Sequence, residues 1–180
     1  PLKRESINNA AVNAEIGWRG PRMKKYLAPC LMIMLVATNG EATAQQSEIA
    51  AINRVLDGYH AAAAEGDWDT YFAFMSDDGV FLGTDAGERW QKREFQDYAS
   101  VSNGWIYTPE TRNVNLTPDG NSAWFDEILL SASYGTARGT GVLIKTSAGW
   151  KISQYHLTLP IPNELARKMT DEIKAYEAQQ

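Results

Sequence analysis

The chain has 180 residues, 44% hydrophobic and 22% charged, with a formal net charge of −5. That composition excludes a disordered or low-complexity protein and suits one core, while the acidic balance gives no electrostatic pull toward nucleic acid or an acidic membrane. The single cysteine, Cys30, excludes an intrachain disulfide and a cysteine-based zinc site, and two histidines, His60 and His156, leave little room for a histidine metal centre; no metal or cofactor is expected.

In chain order, residues 1–22 show no apolar periodicity and precede Met23, so they read as an upstream extension ahead of the true start. Lys24 and Lys25 stand before the apolar run from Tyr26 to Ala37, which Ala42-Thr43-Ala44 follows. A basic start, an apolar stretch too short for the roughly 20 residues of a membrane span, and a small-x-small site describe a secretory signal peptide over 23–44. Cleavage after Ala44 takes away, over residues 1–44, six basic and three acidic residues, leaving an acidic, cysteine-free chain from Gln45 that is periplasmic or secreted and has no membrane attachment. A buried core helix is the alternative, and Pro29 within the run counts against it.

Ser47 is positioned to cap a first helix, on which Ile49, Ile52, Leu56, Tyr59, His60 and Ala63 recur at helical steps. Gly66 ends it. Asp67 or Asp69 caps a second helix crowded with Trp68, Tyr71, Phe72 and Met75, the Asp77-Asp78-Gly79 turn follows, and Val80 begins a strand. A third helix is expected from Glu88 to Ala99. Beyond it the pattern becomes strands over 105–115, 122–131, 136–146 and 150–159, separated by turn-forming clusters. Asn163 is expected to cap a last helix with Leu165, Met169, Ile173 and Tyr176 on one stripe.

Helices first and hairpin-linked strands second make an α+β protein. The segments Phe81-Leu82-Gly83-Thr84-Asp85, Glu88-Arg89-Trp90, Ala123-Trp124-Phe125-Asp126-Glu127, Arg138-Gly139-Thr140-Gly141-Val142-Leu143 and Gly149-Trp150-Lys151-Ile152 leading to Tyr155-His156 resemble the SnoaL-like (polyketide-cyclase-like) branch of the nuclear-transport-factor-2-like superfamily. The resemblance covers Ser47 to Asn163, within a domain of residues 45–163 followed by a C-terminal helix. It implies a cone-shaped fold, three N-terminal helices on a curved, mostly antiparallel sheet, with a deep pocket between them and often a dimer through the outer sheet face. It also implies chemistry on small ligands by an inward carboxylate or histidine.

Candidate site residues follow from strand alternation. In the last strand Trp150 and Ile152 mark one face as interior, and strict alternation carries Gln154 and His156 with them, leaving Tyr155 and Leu157 outside as part of a dimer surface. His156 is then a general base or a core histidine bonded to a neighbour. Asp126 and Glu127 point to opposite faces, so one of the two is inward. A two-residue turn at Tyr134-Gly135 puts Glu127 on the face of Arg138, and one further loop residue puts Asp126 there. An inward carboxylate beside Arg138 is either a structural ion pair or a group that orients His156 while Arg138 receives an anionic or carbonyl oxygen. Tyr71, Phe74 and Trp90 are candidate cavity wall; Asp85 lines the mouth or makes a turn with Gly87. The glycines of Arg138-Gly139-Thr140-Gly141 sit within a strand, where close packing explains them better than a phosphate cradle. Together these features predict a small apolar or carbonyl-containing ligand, bound or turned over, with a homodimerising module as the alternative.

Overall fold

In the computed structural model, the described residues are 27–180, with side chains from Gly40 on apart from Glu41; the expected extension over 1–22 and the first residues of the expected leader lie outside them. The chain divides into two units, one ending at Thr38 and one of Asn39–Gln180, and everything below concerns the second. Its elements are α1 (Leu27–Glu65, of which the part from Asn39 belongs here), α2 (Trp68–Ala73), β1 (Met75–Leu82), β2 (Arg89–Gln91), α3 (Lys92–Ala99), β3 (Thr108–Leu116), β4 (Ser122–Ser131), β5 (Gly135–Thr146), β6 (Gly149–Thr158) and α4 (Asn163–Glu177).

The apolar steps of α1 become a buried stripe, with Ile52, Leu56 and Tyr59 at most 2% exposed. Ser47 does not cap this helix, because it lies inside it, its hydroxyl donating to the Ala44 carbonyl at 2.7 Å. Gly66 ends α1 with φ at 67°, and the Asp67 N–H returns to the Ala62 carbonyl at 2.9 Å. Asp67 then caps α2 by accepting from the Thr70 N–H at 3.1 Å. The expected helix over 88–99 begins as a strand instead. Arg89, Trp90 and Gln91 pair antiparallel with β1, Phe81 opposite Trp90, before α3 starts at Lys92. Sheet pairing outcompetes helix there because the Asp85–Gly87 turn folds the chain straight back along β1.

The six strands form one sheet in the order β2-β1-β6-β5-β4-β3. All neighbours are antiparallel except β1 and β6. This is the nuclear-transport-factor-2-like fold that the resemblance implies. Inward residues of β4, β5 and β6 (Ala123, Phe125, Leu143, Trp150, Ile152) join α1, α2 and α3 in one core. Register in the β4–β5 hairpin places Ile128 opposite Arg138 and Ser131 opposite Gly135. The loop is therefore Ala132–Tyr134, three residues long, closed by Gly135 at φ 73°.

The pairing of β5 with β6 slips once. Val142 faces Gln154 while Leu143 faces Ile152, so Ser153 is an extra residue bulged out of the ladder. Asn163 is the first residue of α4 and not its cap, the cap position being Pro162. No residue of α4 is buried, and its stripe of Leu165, Ile173 and Tyr176 stays exposed.

Candidate functional site

Glu127 is the inward carboxylate. It shares its face of β4 with Ala123, Phe125 and Leu129, and is 1% exposed. A carboxylate so buried is costly unless every lone pair is answered. Here Oε1 takes the His60 Nε2 at 2.7 Å and the Tyr155 hydroxyl at 2.8 Å, while Oε2 accepts from Arg112 Nε at 2.7 Å. Burial alone raises the Glu127 pKa, but the His60 contact, the Arg112 charge and the Tyr155 hydrogen bond outweigh it and hold the group below the usual carboxylate range. Arg112, on β3, is fixed in turn by α1: its Nη1 donates to Asp57 Oδ1 at 2.7 Å and to Asn53 Oδ1 at 3.2 Å. Burial works against its charge, yet the bonds to Asp57 and Glu127 raise its pKa.

With Glu127 ionised and able only to accept, His60 Nε2 carries the hydrogen that bridges to it, and Nδ1 is the ring's other nitrogen. His60 is one wall residue of a cavity of about 210 Å³. The rest of the lining is dominated by rings. Tyr59 and Tyr71 come from α1 and α2, Phe81 and Trp90 from β1 and β2, Phe95 and Tyr98 from α3, Trp105 and Tyr107 from the segment before β3, and Tyr155 from β6. Phe81 stacks on Phe95 at 4.0 Å and 20°, and Trp90 on Tyr98 at 4.6 Å and 25°, so much of the wall is flat. Tyr59 and Tyr71 stack at 4.0 Å, and their hydroxyls are hydrogen-bonded to one another. Burial raises the pKa of both and of Tyr155, with the charge of Glu127 adding to the rise for Tyr59 and Tyr155, so all three phenols stay protonated.

The expected site residues are redistributed. His156 does not line the cavity; it is half-buried on the outer face opposite Thr140. The bulge at Ser153 exchanges the two faces of β6, so Trp150 and Ile152 are followed inward by Tyr155 and Leu157, the two residues expected outside. Asp126 is exposed and accepts from Asn113 Nδ2 at 2.9 Å. Arg138 is exposed on the same outer face as Asp126, so the cation expected beside the inward carboxylate is Arg112 instead. Tyr71 and Trp90 line the cavity as expected. Phe74 does not; it is half-buried with its ring against Gly58 of α1. Asp85 makes the turn, its Oδ1 accepting from the Gly87 N–H at 2.7 Å, and is not a wall residue. The strand glycines are close-packing sites: a Cβ at Gly139 would collide with the Tyr155 hydroxyl and stand 2.8 Å from Glu127 Oε1.

Sequence reasoning passed over His60 and Arg112, although each left a signal. His60 is the polar member of the buried stripe of α1, and Arg112 shares the inward phase of β3 with Val114 and Leu116. Among the described residues, no group of three or more His, Cys, Asp or Glu side chains is arranged to hold a metal ion.

Solved structures with this architecture include an NTF2-like protein with a cystatin-like fold from Novosphingobium aromaticivorans, 15% identical, covering 73% of this chain and 94% of that one with a TM-score of 0.57. A protein of unknown function from Mycobacterium tuberculosis is 18% identical and covers 69% of this chain and 78% of its own at a TM-score of 0.57. A candidate scytalone dehydratase from Novosphingobium aromaticivorans is 10% identical, with 67% and 89% covered and a TM-score of 0.56. At such identities the likeness is one of fold. No curated protein matches the sequence. The SnoaL-like domain family profile matches residues 52–162, most of the chain and every residue of the buried Glu127 network, and the protein therefore belongs to the SnoaL-like domain family.

Proposed function

We propose that this domain takes up a small, flat, mainly apolar molecule in its aromatic cavity, and that His60 is the acid–base group facing it. The observation that carries the reading is the contrast within the lining: a wall of aromatic rings contains one imidazole, and that imidazole is gripped from behind by a buried, ionised carboxylate. Glu127 fixes the ring orientation, keeps the hydrogen on Nε2 and stabilises the imidazolium once Nδ1 has taken a proton. Arg112 and Tyr155 keep Glu127 charged, so they are positioning residues. Isomerisation, elimination and hydrolysis all use such a group. Simple binding without turnover uses the same wall.

Native mass spectrometry of freshly purified protein tests this directly. A co-purified small molecule is expected, retained in His60→Asn and lost when the wall is changed by Phe81→Glu. A cavity that carries nothing and takes up no aromatic probe in either form would refute the reading.

Two further parts of the proposal rest on other features. The lysine pair, short apolar run and Ala-x-Ala triplet support export with cleavage after Ala44, which removes no cavity residue, since the first of these is Tyr59. The outer sheet face supports a homodimer: Trp124 and Val142 are cross-strand partners there, 49% and 37% exposed, with Leu130 at 43%.

A further inference from the structure

Glu88 is the one acidic side chain in the described lining of the cavity, and it has no counter-ion there. The Gly83 N–H donates to the Glu88 carbonyl at 2.8 Å, so the β1–β2 pairing runs one step past Arg89. Alternation then sets Glu88 on the same face as Trp90. Gly83 makes the room for it: a Cβ there would stand 2.8 Å from Glu88 Cβ and collide with the carboxylate. Of the two carboxylate oxygens, Oε2 accepts from the Asp85 N–H at 3.1 Å, and no lysine or arginine pairs with the group among the described residues. Such a half-buried carboxylate loses water and gains no partner when an uncharged molecule covers it.

The rest of the wall has the same electrostatic sign. Phe81, Trp90 and Phe95 lie within 20° of one another, Tyr59 and Tyr71 within 21°, and Tyr71 is inclined 67° to Phe95. Two panels of rings therefore meet at a steep angle, and the face of an aromatic ring is its negative side. The described lining contains no lysine or arginine. Behind it, Asp57 and Glu127 set two carboxylates against the single guanidinium of Arg112.

Resting on the reading of the cavity as a ligand site, we propose that its ligand is an organic cation, a protonated or quaternary amine on a ring-bearing body, with the nitrogen held between Glu88 and Trp90. A cation is attracted to ring faces, that of tryptophan most strongly, and the carboxylate supplies the counter-charge. An anion would meet no counter-charge, and a neutral ring would leave Glu88 covered and unpaired. Size agrees: a cavity of ~150 Å³ admits benzene, and about 210 Å³ here takes one ring bearing a compact ammonium head.

The test compares phenyltrimethylammonium with tert-butylbenzene, which share a shape and differ in carrying a charged nitrogen or a neutral carbon at one position. Binding is followed by tryptophan fluorescence. The cation is expected to bind about tenfold or more tighter than the hydrocarbon, and added salt should weaken the cation alone. Glu88→Gln keeps an oxygen for the Asp85 N–H and removes the charge. It is expected to weaken the cation about fivefold and to leave tert-butylbenzene unchanged, which also reports an intact cavity. Equal or weaker binding of the cation to the native protein overturns the inference and leaves the ligand cavity standing. A preference for the cation that is undiminished in Glu88→Gln also overturns it, because the nitrogen then does not sit at Glu88. Failure of both probes to bind the native protein overturns the inference and the cavity reading together.

Discussion

Glu127 cannot be treated as an isolated carboxylate, because its neutralisation strands Arg112. The guanidinium side chain is 9% exposed and, among the described residues, has only Asp57 as another charged partner. Glu127→Gln is therefore expected to cost about 3–5 kcal/mol, the scale of a buried pair broken on one side, read from urea unfolding. Tyr155→Phe removes one bond and no charge, and should cost about 1–2 kcal/mol. The pH dependence has a definite sign. Glu127 titrates lower in the folded protein than its ordinary value of 4.5, so its contribution is complete above that value and drains away as pH falls through the folded pKa. Melting temperature should drop on acidification below about pH 4.5, and the Glu127→Gln protein should show a shallower drop. At this scale the sequence offered partial guidance. It showed that one of Asp126 and Glu127 must face inward, but Trp124, Phe125, Ile128 and Leu129 are apolar in both phases, so only the three-residue loop at Ala132–Tyr134 decides between them.

Elements differ in how far their own residues specify them. The buried stripe of α1, the Asp67 cap and the hairpin strands all arise from local periodicity and turn chemistry, and β4 spans the residues expected from the pattern. β2 does not: Arg89–Gln91 is strand because β1 lies alongside it, an influence from outside the segment. The bulge at Ser153 is the other case, with larger consequences, since it decides which of Tyr155 and His156 sees the cavity. Deleting Ser153 would remove the extra residue and leave a continuous ladder in which Ile152, Tyr155 and Leu157 still face inward and His156 outward. The expected result is a folded protein that keeps the Tyr155 hydrogen bond to Glu127 and its binding of an aromatic probe, checked by thermal melting and probe titration. With no buried residue in α4, its removal after Pro162 should shift unfolding by less than about 0.5 kcal/mol.

For the whole molecule, surface distribution matters more than any one bond. The described chain contains no helix long and apolar enough to cross a membrane. Its exposed large apolar residues include Trp124, Leu130 and Val142 on the outer sheet face and Leu165, Ile173 and Tyr176 along α4. If that sheet face joins two copies, sedimentation should show a dimer that Trp124→Glu converts to a folded monomer, with the cavity's probe affinity unchanged. Amino-terminal sequencing of material recovered outside the cytoplasm should begin at Gln45; a start further upstream would displace the proposed cleavage site.

The sequence by itself determined the α+β order and the apolar stripe of α1, because each follows from residue spacing along a few turns or one hairpin, and the resemblance of its motif segments pointed to the family. The identity of the inward polar groups was decided by tertiary structure. His60, Arg112 and Glu127 lie on three elements, separated by 67 residues between the outermost two, and meet through strand register. Register depends on one loop residue here and one bulged residue there, and each such residue reverses every side chain beyond it.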